Sequence, residues 1–170
     1  MQIYNPSASF ARPADTTAYA AGDLVANSTT AGAVVPLSFT MQSNIIIGPF
    51  SLWRCRLRKS TTGVANANFR VHLYEASPTP ANGDNGAYTT DKSANYLGFI
   101  KVDMTTTPGA KFNDGAVGIG SASAGADFNV RLASGTTVYA LIEALAAYTP
   151  GNAETFALTL ELIEHYPRGG

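Results

Sequence analysis

Hydrophobic and polar residues alternate with period two along most of the chain from residue 33 onward. That alternation is the mark of strands with one face buried and one exposed. It is carried by residues 33–40, 51–60, 67–76, 96–104, 127–133, 137–145 and 154–166, with a short apolar run at 44–47. In 51–60, Trp53, Cys55 and Leu57 are expected on one face and Arg54, Arg56 and Arg58 on the other. In 67–76, Phe69, Val71 and Leu73 oppose Arg70, His72 and Tyr74. The connection 61–66 contains Gly63 and Asn66 and is short enough for a hairpin, which predicts antiparallel pairing of these two strands. In the last segment Phe156, Leu158, Leu160 and Leu162 mark one clean apolar face.

Residues 140–148 (ALIEALAAY) are rich in helix formers. The preceding alternation of Val138, Ala140 and Ile142 against Tyr139, Leu141 and Glu143, with Pro150 and Gly151 just beyond, favours a strand. Residues 77–95 form a long loop and 105–126 a second irregular stretch rich in Thr, Gly and Ala. The tally is about eight antiparallel strands and no helix longer than two turns. It predicts an all-β fold, a β-sandwich with jelly-roll topology first and an immunoglobulin-like one second.

Residues 1–32 read differently, with Pro6, Pro13, Gly22 and Gly32 set among Ala, Ser and Thr. Such a stretch opposes helix and favours extended backbone. Its spaced aromatics need a surface to dock on, which disordered tails do not provide for. The expectation is an extended N-terminal arm, residues 1–32, ahead of a β-sandwich domain, residues 33–170. Tyr4, Phe10, Arg12 and Tyr19 are its candidate contacts to its own domain, a neighbouring subunit or a larger particle.

Charge changes the picture by being scarce. Only 14% of residues are charged and the net charge is −1, against roughly 25% charged in ordinary soluble domains. A near-neutral chain has no bulk attraction for nucleic acid or anionic lipid, so neither is expected as a partner. One cysteine, Cys55, excludes an internal disulfide and a multi-cysteine metal site. The N-terminus lacks the pattern of a signal peptide, and no apolar run approaches the roughly 18 residues that span a membrane. The expectation is a chain made in the cytoplasm.

Few groups suit catalysis, and no catalytic, metal or cofactor site is expected. His72 and His165 are the only histidines and neither has metal-ligand spacing. Glu143 and Glu161 are the best candidates for a carboxylate pair. Both, with Glu164, are better explained as cross-strand or inter-subunit ion-pair partners of the outward row Arg54, Arg56, Arg58, Arg70 and His72. That row suits a protein interface more than a nucleic-acid groove, because interleaved aromatics are lacking. Residues 82–86 (NGDNG) have the oxygen-rich look of a calcium loop but not its spacing, and read as a tight turn. Asp84, Tyr88 and Tyr96 are the candidates for ligand binding around the 77–95 loop, with a carbohydrate as the chemistry to test.

Residues 10–25 (FARPADTTAYAAGDLV) and 57–102, especially 72–102 (HLYEASPTPANGDNGAYTTDKSANYLGFIKV), resemble stretches of small structural proteins of tailed bacteriophages. The resemblance implies a non-enzymatic virion component on the capsid exterior. A decoration or cement protein is the first choice, binding across neighbouring major capsid protein subunits as a homo-oligomer, most simply a trimer. A tail or neck component, or a receptor-binding module, are the alternatives. The resemblance carries no catalytic residue across.

Overall fold

The computed structural model describes residues 2–40, 50–105, 110–121, 128–130 and 137–164. Among these residues there are twelve strands and no α-helix. In chain order they are β1 (Gln2–Tyr4), β2 (Ser7–Ala11), β3 (Leu24–Val25), β4 (Leu37–Thr40), β5 (Phe50–Lys59) and β6 (Asn68–Tyr74). They continue with β7 (Tyr96–Asp103), β8 (Ala110–Phe112), β9 (Gly115–Ser121), β10 (Phe128–Val130), β11 (Thr137–Ala144) and β12 (Thr155–Glu164). Antiparallel pairing sorts them into two sheets. The first runs β1-β12-β5-β9-β8, with β2 also on β12 and β10 also on β5. The second runs β3-β11-β6-β7, with β4 also on β11.

Several short strands are pieces of longer ones. β1 and β2 line the same edge of β12, from Gln2 opposite Glu164 to Ala11 opposite Thr155, broken only at Asn5 and Pro6. β3 and β4 share one edge of β11, with residues 26–36 looping out between them. β9 and β10 share one edge of β5. With each of those three pairs counted as one and the short β8 set aside, eight strands remain. Their order is first-eighth-third-sixth in one sheet and second-seventh-fourth-fifth in the other.

The two sheets enclose one core, the arrangement of a β-sandwich. Leu52, Cys55 and Leu57 of β5 and Phe156, Leu158, Leu160 and Leu162 of β12 come from one side. Phe69, Val71 and Leu73 of β6, Ile100 and Val102 of β7, and Val138, Ala140 and Ile142 of β11 meet them from the other. Phe69 sits edge-on to Phe156 and to Tyr148, with ring centroids 5.4 and 5.3 Å apart. Burial pushes the Cys55 thiol up to about 12, so it stays protonated and acts as a small apolar group. The helix alternative for 140–148 is not realised: β11 runs through Ala144 as a strand.

Four expectations are corrected. β5 and β6 do not pair; both edges of β5 are taken by β12 and by β9 with β10, and both edges of β6 by β11 and β7. They lie in opposite sheets, and the apolar inner face of each enters the same core. Residues 2–32 lie along the chain's own sheets, β1 and β2 in the first and β3 in the second, so the boundary expected at residue 33 does not divide an arm from the sandwich. Trp53 faces outward, since the register slips where Leu52 pairs with Leu162 and Arg54 with Glu161. This bulge gives the inward place to Leu52 and turns Trp53 to solvent. The irregular stretch 105–126 contains β8 and β9, whose pattern is inverted: Gly118 is inward while Ile119 is exposed. The apolar run at 44–47, His165 and the side chain of Glu164 lie outside the described residues.

The inward glycines of β9 let β7 approach closely from the other sheet. A Cβ on Gly120 would lie 2.5 Å from the Lys101 carbonyl oxygen and 2.6 Å from Ile100 Cγ2. A backbone oxygen cannot swing aside, so Gly120→Ala should destabilise by about 1–3 kcal/mol. Gly32→Ala, with open space around the new methyl, is the control. Urea unfolding with unchanged midpoints for both variants would show that the sheets are not in contact there.

Candidate functional site

The 77–95 segment is laid down against residues 22–28 by a run of backbone bonds. Tyr88 N–H donates to Gly22 O at 2.8 Å, Leu24 N–H to Gly86 O at 2.8 Å, Asn85 N–H to Leu24 O at 2.9 Å and Asp84 N–H to Ser28 O at 2.7 Å. Residues 82–86 do form a tight turn, with Asn85 in the left-handed region at φ 62°. A Cβ on Gly83 would lie 2.0 Å from Thr29 O, so only glycine permits this approach.

The turn drives Asp84 inward. Its Oδ1 accepts from the Tyr19 hydroxyl and from Ala26 N–H, each at 2.7 Å, and its Oδ2 from Arg12 Nη2 at 2.7 Å. Arg12 Nε in turn donates to the Tyr19 hydroxyl. Asp84, Arg12 and Tyr19 are all buried, so none is free for a calcium ion, a sugar or a neighbouring subunit. They satisfy one another. Tyr4 and Phe10 are half-buried, and Phe10 stacks on Phe156 at 5.8 Å.

With the loop anchored, Tyr88 stacks on His72 at 4.1 Å, over the outer face of the second sheet. There His72, Tyr74, Tyr88, Thr90, Ser93 and Tyr96 line an open pocket of about 280 Å³. Glu143, cross-strand from Arg70, accepts from Arg70 Nη1 and from His72 Nε2, both at 2.8 Å on Oε2. A neutral imidazole that donates from Nε2 must accept at Nδ1, so the Tyr96 hydroxyl, 2.9 Å away, donates to it. Tyr74 and Tyr88 hydroxyls bond each other, and Thr90 Oγ1 reaches Tyr74 at 3.4 Å. Arg70 also lies over the Phe99 ring, 4.8 Å from its centroid. Burial raises the Tyr88 phenol well above its ordinary value and pushes Tyr96 up to about 12, so both remain neutral hydroxyls.

The arginine row is therefore split between opposite faces of the molecule. His72 lines the pocket, and Arg70 lies beside it on the outer face of the second sheet, sharing Glu143. Arg54, Arg56 and Arg58 stand on the outer face of the first sheet. Two are engaged as expected of such a row: Arg54 with Glu161 across the strand pair, and Arg58 with Asp114 at 2.5 Å. Arg56 is exposed, sits opposite Ile119 and Thr159, and has no ion pair among the described residues. Around them the same face exposes Trp53, Ile119, Phe112 and Ile3, and Arg54 lies over the Trp53 ring at 4.6 Å.

One buried pair is absent from the sequence-based expectations. Lys59 continues the inward series Cys55, Leu57, yet it is an ammonium with a fully buried side chain, 3.2 Å from Glu154 Oε1 and 2.8 Å from Thr61 Oγ1. Tyr148 donates to the other Glu154 oxygen at 2.5 Å. Parity along β5 was the available signal, and the apparent mismatch of a lysine at an inward position was the clue to a partner. Comparison of the chain with protein-family models, with curated proteins and with solved structures finds no match.

Burial lowers the His72 pKa below its usual 6.5, outweighing the opposing pull of Glu143. The unfolded chain then binds the proton first as pH falls, so stability should decline as pH drops below 6.5. Melting temperatures measured from pH 7 down to about 5, above the range where carboxylates titrate, should fall, and His72→Gln should flatten that slope. An equal slope in both proteins would remove His72 from the account.

Proposed function

We propose that the chain is a non-catalytic structural protein of a tailed-phage virion, a capsid decoration or cement protein that binds across neighbouring major capsid protein subunits. The observation that carries this reading is the outer face of the first sheet, where Trp53 and Ile119 are exposed beside Arg54 and Arg56, with Ile3 and Phe112 exposed toward the two opposite edges of the same face. Buried tryptophan and arginine anchors dominate protein interfaces, whereas an isolated soluble domain gains nothing from presenting them on one face. Arg56, with no internal partner among the described residues, can fork onto a carboxylate of another subunit.

The fold supports the same reading. We infer a jelly-roll from the strand order first-eighth-third-sixth facing second-seventh-fourth-fifth, a double Greek key found in viral capsid and lectin domains. Low charge suits a protein packed in many copies. Contacts selective for the assembled shell stabilise it by mass action, so modest contacts repeated over many copies add up. A tail or neck component would use the same face on a different partner.

Purified protein should behave in light scattering as a discrete homo-oligomer, most simply a trimer, and bind saturably to undecorated shells. Trp53→Ala and Arg56→Glu should each weaken shell binding by at least about tenfold while leaving the melting temperature within a few degrees of the parent. A monomer that ignores shells contradicts the proposal.

A further inference from the structure

The pocket on the outer face of the second sheet lies on the side of the sandwich opposite the proposed docking face, and its chemistry is different. Its floor is His72 and Tyr74, both buried, and its walls are Tyr88 and the exposed Tyr96, whose ring lies tilted against Tyr74 at 5.2 Å. Thr90 and Ser93 contribute hydroxyls at the lip. The formal charges beside it cancel, because the Glu143 carboxylate is held by Arg70. An anion or a cation would therefore enter without a counter-charge of its own. What the walls offer is aromatic surface and neutral hydroxyls.

The hydrogen-bond inventory sharpens this. Thr90, Tyr74 and Tyr88 are three hydroxyls joined by two bonds. Each hydroxyl carries one hydrogen, so one hydrogen of the three is unused among the described residues. Tyr96 spends its hydrogen on His72 Nδ1 and keeps oxygen lone pairs for an outside donor. The exposed Ser93 hydroxyl offers both. A ligand that fits must donate, accept, present an apolar face to an aromatic ring and carry no charge. The volume of about 280 Å³ is just below the roughly 300–1,000 Å³ of drug-sized ligand sites, which suits a single small ring.

We propose that the pocket formed by His72, Tyr74, Tyr88, Thr90, Ser93 and Tyr96 binds one ring of a neutral sugar, a hexose or N-acetylhexosamine at a glycan end, stacked on Tyr96. This inference does not rest on the decoration reading: it uses the other face, and either stands if the other fails. In a virion component it would place a glycan-reading site pointing away from the shell.

The test is saturation-transfer NMR of the whole protein with glucose, galactose, N-acetylglucosamine and N-acetylgalactosamine at millimolar concentration, alongside an array of neutral, sialylated and sulfated glycans. Choline and inorganic phosphate serve as charged probes. At least one neutral sugar should give a signal, weakened about tenfold by Tyr96→Ala and abolished by Ser93→Trp, which fills the mouth from an exposed position. Trp53→Ala, on the opposite face, should leave it unchanged. Melting curves establish that the two pocket variants remain folded, which their exposed positions favour. Silence with every neutral sugar overturns the proposal, as does binding confined to sialylated or sulfated glycans, choline or phosphate. A sugar signal that survives both pocket variants overturns the assignment to this pocket.

Discussion

A single buried carboxylate organises much of what the surface can do. Asp84 takes bonds from Arg12, Tyr19 and the amide of Ala26, and so ties together the N-terminal segment, the strand piece at residues 24–25 and the 77–95 loop. A desolvated charge is tolerated only when its partners are all in place, and removing one side of such a pair costs about 3–5 kcal/mol. That penalty is what makes a nineteen-residue segment without regular strands hold one shape. Because the loop is fixed at Asp84, Tyr88 four residues on arrives over His72 and a pocket exists. Lys59 and Glu154 act in the same way where β5 and β12 meet, with Tyr148 and Thr61 completing the shell.

The fold class was legible because alternation reports directly on which face of a strand is buried. Seven of the twelve strands fall inside segments where that signal is clean. It fails for physical reasons at the others and at one position of β5. Between residues 115 and 121, glycines sit inward to admit β7, so the apolar residues that mark a strand point to solvent. In residues 2–11 the strand borders β12 on its outer edge, where few side chains are buried deeply. At Trp53 one extra residue reverses the parity, an event that period-two reasoning has no way to register.

The candidate residues were found more reliably than their roles. His72, Tyr88 and Tyr96 do converge on one pocket. Arg12, Tyr19 and Asp84 converge too, but inward, where they hold the fold. Short-range pattern cannot distinguish these outcomes, because both use polar residues in a loop; only the topology decides which way a loop folds back. Pairing within the arginine row was foreseeable from chemistry alone, and Glu161 and Glu143 take up Arg54 and Arg70. The division of that row between two faces follows from β5 and β6 lying in opposite sheets. The result is a molecule with an apolar, arginine-bearing face on one side and a neutral aromatic pocket on the other.

Amide hydrogen exchange at Ala26 and Tyr88 tests the central claim, that the 77–95 loop is an anchored wall of the domain, most directly. Ala26 N–H donates to Asp84 and Tyr88 N–H to Gly22 O, so both should exchange as slowly as amides in the middle of β11, and both should speed up together in Asp84→Asn. Exchange of these two amides in the parent protein at the rate of an unstructured loop would contradict the account, and with it the pocket that the loop completes.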